Sequence, residues 1–264
     1  MERIKASCIQ MDIEHCDKQK NIDRALSLAR KAVSEGAELI VLPEVFSTGF
    51  CYDQINQVSE EHPHPTIEQL KEFSNEHDCI LIGSIIEKKY DSSNSAIYTN
   101  LGFGIEYGEL AGTYHKIHPF GREKEHFSVG DHIAAIKLER SGLTIGLEIC
   151  YELRFPEVAR KLTLQGADIL VTIAEFPNPR EQHWRILAVA RAIENQIPHI
   201  VCNRVGEDPY TTFPGASMII DAWGDILEDA GNEEGVIVHD IDLQQKDAVR
   251  SRITVFDDRR PELY

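Results

Sequence analysis

The chain has 264 residues, 42% hydrophobic and 27% charged, which is enough apolar material for one large α/β domain or two small ones. Acidic residues number 44 against 27 basic ones, a net charge of −17 that argues against nucleic acid or an anionic membrane surface as the main partner. No run of about 18 apolar residues occurs and the first residues, MERIKASCIQM, lack a signal-peptide core, so the expected location is cytoplasmic.

In chain order, IKASCIQ alternates as a strand does. NIDRALSLARKAVSEGA follows, with Ile22, Ala25, Leu26, Ala29 and Val33 on one helical face and Gly36 as a stop. ELIVLPE is a continuous apolar run ending at Pro43-Glu44, and this strand-helix-strand order predicts a parallel pair. Thr66 to Gln69 fits a capping box that opens a helix reaching about His77. CILIGSIIE, SAIYTNLG and GELAGTYHK read as three successive antiparallel strands. HIAAIKLE and LTIGLEIC make a hairpin around Arg140-Ser141-Gly142.

Helix FPEVARKLTLQGA then precedes strand DILVTIA, and helix REQHWRILAVARAIENQ precedes strand PHIVCNR. Strands ASMIID and GVIVHDID lead to a polar tail ending DDRRPELY. These are more strands than one open sheet comfortably holds. Two sheets stacked face to face with helices outside accommodate them, and no linker divides the chain, so one domain spanning residues 1–264 is expected. The six cysteines (Cys8, Cys16, Cys51, Cys79, Cys150, Cys202) form no C-x-x-C pair. They read as free thiols of a reducing compartment, not as a disulfide or zinc framework.

Three residues stand where a strand gives way to a loop: Glu44 after LIVLP, Lys116 after LAGTYH and Cys150 after TIGLEI. Loops converge on a rigid scaffold at such strand ends, which is where sites form. A solvated carboxylate, a surface ammonium and a core thiol are the plain readings of each taken singly. Together they suit a general base, an oxyanion-stabilising cation and a nucleophile that needs a base or a positive field nearby. His115 and His118 lack a third metal ligand, the glycines of LGFGIEYGEL do not precede a helix, and G-x-S-x-G is absent.

LIVLPEVFSTGF, YHKIHPFGREKEHFSVGD and GLEICYELRFPEVAR resemble the three signature segments of the nitrilase superfamily of carbon-nitrogen hydrolases. ARAIENQIPHIVCNRVG and FPGASMIIDAWGDIL are similar to two further blocks of that family, so the resemblance covers essentially the whole chain. It implies an α/β fold built as a four-layer αββα sandwich. It also implies a Glu-Lys-Cys triad that hydrolyses amides or nitriles through a thioester or thioimidate. Carried over, Glu44 takes the proton of Cys150 and later activates water. Lys116 and the backbone N–H of Tyr151 stabilise the oxyanion. A second glutamate holds the lysine, with Glu123 preferred over Glu125.

The resemblance further implies no metal or organic cofactor. It implies a homodimer joined through FPEVARKL and the helix after Arg180, with a dimer-contacting tail from about residue 250. LPEVFSTGF and ARAIENQ with CNRVG look most like the omega-amidase-type branch, which acts on the terminal amide of 2-oxo-dicarboxylic acid monoamides such as 2-oxoglutaramate. A nitrilase or an N-carbamoyl amino acid amidohydrolase is the alternative chemistry. A catalytically silent binding or assembly module is the alternative outside enzymes, and it would be expected to have lost a triad member.

The sequence departs from the family pattern at several positions. Glu152 replaces a commoner aspartate, Glu148 a small residue and Pro119 a leucine. Glu175 and Phe176 replace an Asn-Trp pair, which puts them in the expected substrate-pocket wall. Arg180 is a candidate for gripping a substrate carboxylate in a fork. Arg154, Glu157, Arg191 and Glu194 read as paired structural supports.

Overall fold

The computed structural model describes residues 2–263. In chain order its strands are β1 (Arg3–Gln10), β2 (Leu39–Val41), β3 (Ile80–Tyr90), β4 (Ala96–Glu106), β5 (Glu109–His115), β6 (Ile136–Leu138) and β7 (Leu143–Ile149). Next come β8 (Ile169–Ala174), β9 (His199–Asn203), β10 (Val205–Glu207), β11 (Thr212–Pro214), β12 (Met218–Ile220), β13 (Ile226–Asp229) and β14 (Gly235–Asp242). The helices are α1 (Lys18–Ser34), α2 (Ile55–Val58), α3 (Pro65–Glu76), α4 (Glu123–His126), α5 (Pro156–Leu164), α6 (Glu181–Asn195) and α7 (Gln245–Arg252).

Two six-stranded sheets form, in the orders β14-β1-β2-β3-β4-β5 and β13-β12-β9-β8-β7-β6. Each centres on a parallel trio, β1-β2-β3 and β7-β8-β9, extended on both sides by antiparallel partners. Helices connect successive strands of each trio, as parallel pairing requires. The short central strands LIV, ILVTIA and HIVCN are buried on both faces, which is why apolar residues run consecutively along them and do not alternate with exposed polar ones.

Between the sheets, Ile4, Ala6, Leu39 and Val41 of the first cluster with Ile145, Leu147, Ile169 and Val171 of the second. The Cys8 thiol spans the gap to the Val201 carbonyl at 3.6 Å. On the outer side of the first sheet, Ile22, Ala25 and Ala29 of α1 and Ile67, Leu70 and Phe73 of α3 cover Ile9, Ile40 and Leu81. On the outer side of the second, Val158, Ala159 and Leu162 of α5 cover Leu170. The layers run helix, sheet, sheet, helix. Each fully buried Ile or Leu in them contributes about 1.5–3 kcal/mol. No described helix is long and apolar enough to cross a membrane.

Several local expectations need correction. Cys16 and Cys51 are joined in a disulfide, with Cα atoms 5.3 Å apart. The loop after β2 doubles back on the loop after β1, where the Cys16 N–H donates to the Thr48 carbonyl at 2.9 Å, and this brings the two sulfurs together. The expectation of six free thiols fails at this pair, and with it that ground for a reducing compartment. Cys8, Cys79, Cys150 and Cys202 are free and buried.

Thr66 does not open a capping box, because α3 already begins at Pro65. Its N–H and hydroxyl are taken by the Glu60 carboxylate from outside the helix, the N–H at 2.9 Å. HIAAIKLE pairs only over β6, and the tail contains α7.

One glycine bears on the site directly. Gly130 donates its N–H to the Lys116 carbonyl at 3.0 Å, and a Cβ there would meet the His115 oxygen at 2.2 Å. Gly130→Ala is expected to destabilise the fold by about 1–3 kcal/mol. An unchanged urea midpoint would show that this backbone approach is not required.

Candidate functional site

Pro43 has no N–H to give the ladder, so β2 stops just before it and Glu44 emerges at the strand's C-terminal end. Lys116 follows β5, its N–H still bonded to the Asn100 carbonyl of β4 at 3.1 Å. Cys150 follows β7 as the first residue of a 3₁₀ turn, Cys150–Arg154, with φ of +52°. That left-handed conformation costs a non-glycine residue about 1–3 kcal/mol and recurs at functional sites. Glu175 follows β8 and Glu123 opens α4.

These residues meet in the interior. Lys116 Nζ lies 2.7 Å from Glu44 Oε1 and donates to Glu123 Oε1 at 2.9 Å, with Glu123 Oε2 at 2.7 Å. Asn100 Nδ2 donates to the same Glu44 oxygen at 2.8 Å, and the Glu175 N–H donates to Glu44 Oε2 at 2.9 Å. The Glu44 carboxylate is therefore fixed in orientation by three donors. The Cys150 thiol sits within the field of Glu44, Lys116 and Glu123. Glu125 is exposed and takes no part.

Burial dominates the electrostatics. It pushes the Cys150 thiol well up, and the Glu44 charge adds to this against the pull of Lys116, so the resting sulfur carries its proton. Burial alone would neutralise Lys116, but Glu123 and Glu44 outweigh it and hold the ammonium charged. Glu123 is pushed up to about 7 by burial, with Lys116 opposing and Glu44 reinforcing. Glu175 is pushed up to about 8 by burial, which Arg204, 3.4 Å away, only partly offsets. Arg204 also gives its hydrogen bonds to the Ile13 and Glu207 carbonyls, so its charge is shared.

Cys150 faces two hollows. One, of about 210 Å³, is walled by Phe50, Tyr52, Phe120, Tyr210 and Phe213, with Arg122, Glu123 and Glu175 among its polar members. The other is a slot of about 20 Å³ between Phe120, Tyr151, Arg154, Phe176 and Arg180. Aromatic walls with few polar groups are the usual make-up of a small-molecule site. Phe176 is buried against Trp184, and the Arg154 guanidinium lies 5.2 Å over its ring. Arg180 stands 5.7 Å over Phe120.

Arg154 is a correction. It lines the slot beside the nucleophile because it ends the 3₁₀ turn just before Phe155-Pro156 starts α5. Neither Arg154 nor Arg180 has a carboxylate partner within ion-pair distance among the described residues. Arg191 does act as a support, donating to the Leu153 carbonyl at 2.7 Å and pairing with Glu194 at 2.8 Å. Asn100 joins the site with little signal in the sequence beyond an amide in the mostly buried strand AIYTNLGFGIE. His115 turns to Glu87 at 2.8 Å and His118 stacks on Phe155, so the two imidazoles do not converge. Among the described residues, the donor atoms close enough to share a metal ion are those of His15, Cys16 and Cys51, and that pair of sulfurs is bonded to itself.

The family model described as carbon-nitrogen hydrolase matches residues 5–251. The chain is 37% identical over 259 residues to the 2-oxoglutaramate amidase of Bacillus subtilis (strain 168), covering 98% of each chain. It is 30% identical over 276 residues to the omega-amidase NIT2 of Homo sapiens, covering 100% of this chain and 98% of that one. Saccharomyces cerevisiae Nit3, a member of branch 10 of the nitrilase superfamily, superposes with a TM-score of 0.90 at 28% identity. That match covers 98% of this chain and 97% of Nit3.

The raised Glu175 carboxyl has a consequence for stability. With a folded value of about 8 against an ordinary 4.5, the folded state binds a proton that the unfolded state has released. Its contribution is fully present below about pH 4.5 and is lost as pH rises through about 8. Glu175→Gln is expected to flatten the fall in stability across that window. Urea midpoints at pH 5, 6.5 and 8 that run parallel in parent and variant would show Glu175 ionised throughout.

Proposed function

The chain belongs to the carbon-nitrogen hydrolase family, and from that premise we propose an omega-amidase-type enzyme with Cys150, Glu44 and Lys116 as its working residues. The substrate class we infer is a small 2-oxo-dicarboxylic acid monoamide such as 2-oxoglutaramate. One observation carries the reading. A buried ammonium, Lys116, bridges two buried carboxylates beside a buried thiol at the floor of an aromatic cavity.

Glu44 takes the thiol proton as Sγ attacks the amide carbonyl carbon, which removes the need for a free thiolate at rest. The tetrahedral oxyanion forms against Lys116 Nζ and the backbone N–H of Tyr151. One such donor is worth about 10²–10³-fold in rate. Glu44 returns the proton to the departing nitrogen, ammonia leaves, and the acyl group remains on Sγ as a thioester. Glu44 then draws a proton from water, hydroxide adds to the thioester, and the acid departs as Sγ regains its proton. Glu123 holds Lys116 from the far side throughout. Glu175 orients Glu44 through its backbone N–H and, with Phe176, walls the pocket.

Two features support an anionic substrate. Arg154 and Arg180 flank the slot beside Cys150 without carboxylate partners among the described residues, Arg154 touching only the His183 ring nitrogen at 3.5 Å, so both guanidinium charges can be met by a substrate carboxylate. The relatives that share the whole chain length include a 2-oxoglutaramate amidase and an omega-amidase. For assembly, a homodimer through α5 and α6 fits Leu164, Ile186 and Ile193, each about half exposed on those helices. Light scattering that finds only monomer would refute it.

Ammonia release across oxo-acid amides, nitriles and N-carbamoyl amino acids tests the substrate class. Turnover of the first group is expected, and silence there with turnover of another sinks the assignment. Cys150→Ala is expected to lower kcat by about 10⁴-fold or more. Arg154→Ala and Arg180→Ala should each raise KM for the carboxylate-bearing amide by roughly 10-fold or more while sparing a neutral amide.

A further inference from the structure

We propose that Glu152 is a positioning residue for the hydrolysis, one buried carboxylate that holds the turn of Cys150 and the strand end of Lys116 at a fixed separation. The inference rests on the reading of Cys150 and Lys116 as working residues. Glu152 is fully buried. Its Oε2 accepts the N–H of Ile149, the residue before Cys150, at 2.8 Å. Its Oε1 accepts the N–H of Ile117, the residue after Lys116, at 2.8 Å, and that of His118 at 3.3 Å. The Tyr114 hydroxyl, on β5, donates to the same oxygen at 2.8 Å.

The two ends of this carboxylate hold different sheets. Ile149 ends β7 of the second sheet, and Ile117 lies just beyond β5 of the first. A cap for the 3₁₀ turn needs only the bond to Ile149. The remaining three bonds reach across to the lysine's segment, where they add nothing to the turn. They fix where Lys116 stands relative to a nucleophile whose own left-handed backbone must be held in place. Lys116 Nζ is held through side chains, whereas Glu152 ties the backbone just beyond Lys116 directly to the residue before Cys150.

The carboxylate is specific to this task, because all four partners are donors. An amide presents one oxygen and one NH₂, and the NH₂ would confront at least one N–H or O–H. Displacement of reacting groups by about 1 Å costs on the order of 10²-fold in rate.

The test is Glu152→Gln in the full chain, read by kcat, KM and the pH dependence of Cys150 carboxymethylation by iodoacetate. Expected are a kcat lower by roughly 10- to 100-fold, a KM within about twofold, and alkylation displaced to higher pH as the thiolate loses its aligned cation. Glu152→Asp keeps the charge on a shorter reach and is expected to lie between parent and Gln variant on both measures. A role confined to stability would lower the melting temperature and leave both measures at parental values, which overturns the proposal. If the Gln variant does not fold, the Asp variant decides alone, and a parental kcat and alkylation profile refute positioning. Hydrolysis that survives Cys150→Ala refutes the underlying reading instead, so the two failures are distinct.

Discussion

The ammonium of Lys116 is the constraint to which the rest of the structure answers. A charge taken fully out of water is tolerated only where opposite charges meet it at hydrogen-bond distance, and Glu44 and Glu123 do so. Those carboxylates are buried too, and each needs donors of its own. Asn100 and the Glu175 backbone meet Glu44, while Lys116 meets Glu123. The cluster draws on β2, β4, β5, β8 and α4. Such a set can be brought together only where two sheets pack with their strand ends in register. The sandwich is the frame this one charge demands.

Much of this was legible in the sequence, for a physical reason. Apolar runs such as LIVLP and LTIGLEI have to be buried strands, and a polar residue directly after such a run is delivered to a strand end. Glu44 and Cys150 could be placed that way, and so could the two-sheet architecture. Glu123 was separable from Glu125 only by its surroundings in the chain, whereas in the fold one turns onto Lys116 and the other into solvent.

What stayed illegible depends on chain paths with no periodic signal. The Cys16–Cys51 bond joins two irregular loops. Arg154 reads as a paired support because the sequence does not show which carboxylates lie within its reach, and in the fold it lines the slot beside Cys150 instead. Glu60 caps α3 from a segment with no pattern tying it to that helix. The aromatic walls come from loops around Phe50, Tyr52 and Tyr210, whose meeting point is set by tertiary packing.

The three donors on Glu44 carry a consequence for the order of events in the proposed reaction. When Glu44 accepts the thiol proton its charge vanishes, and its grip on Lys116 weakens at the moment the carbonyl oxygen becomes negative. The negative charge migrates from carboxylate to oxyanion around an ammonium that Glu123 keeps in place. The pocket's total charge is the same before and after, so no ion has to cross its aromatic walls to compensate. In the proposed reaction the lysine thus changes partner while the charge around it stays constant.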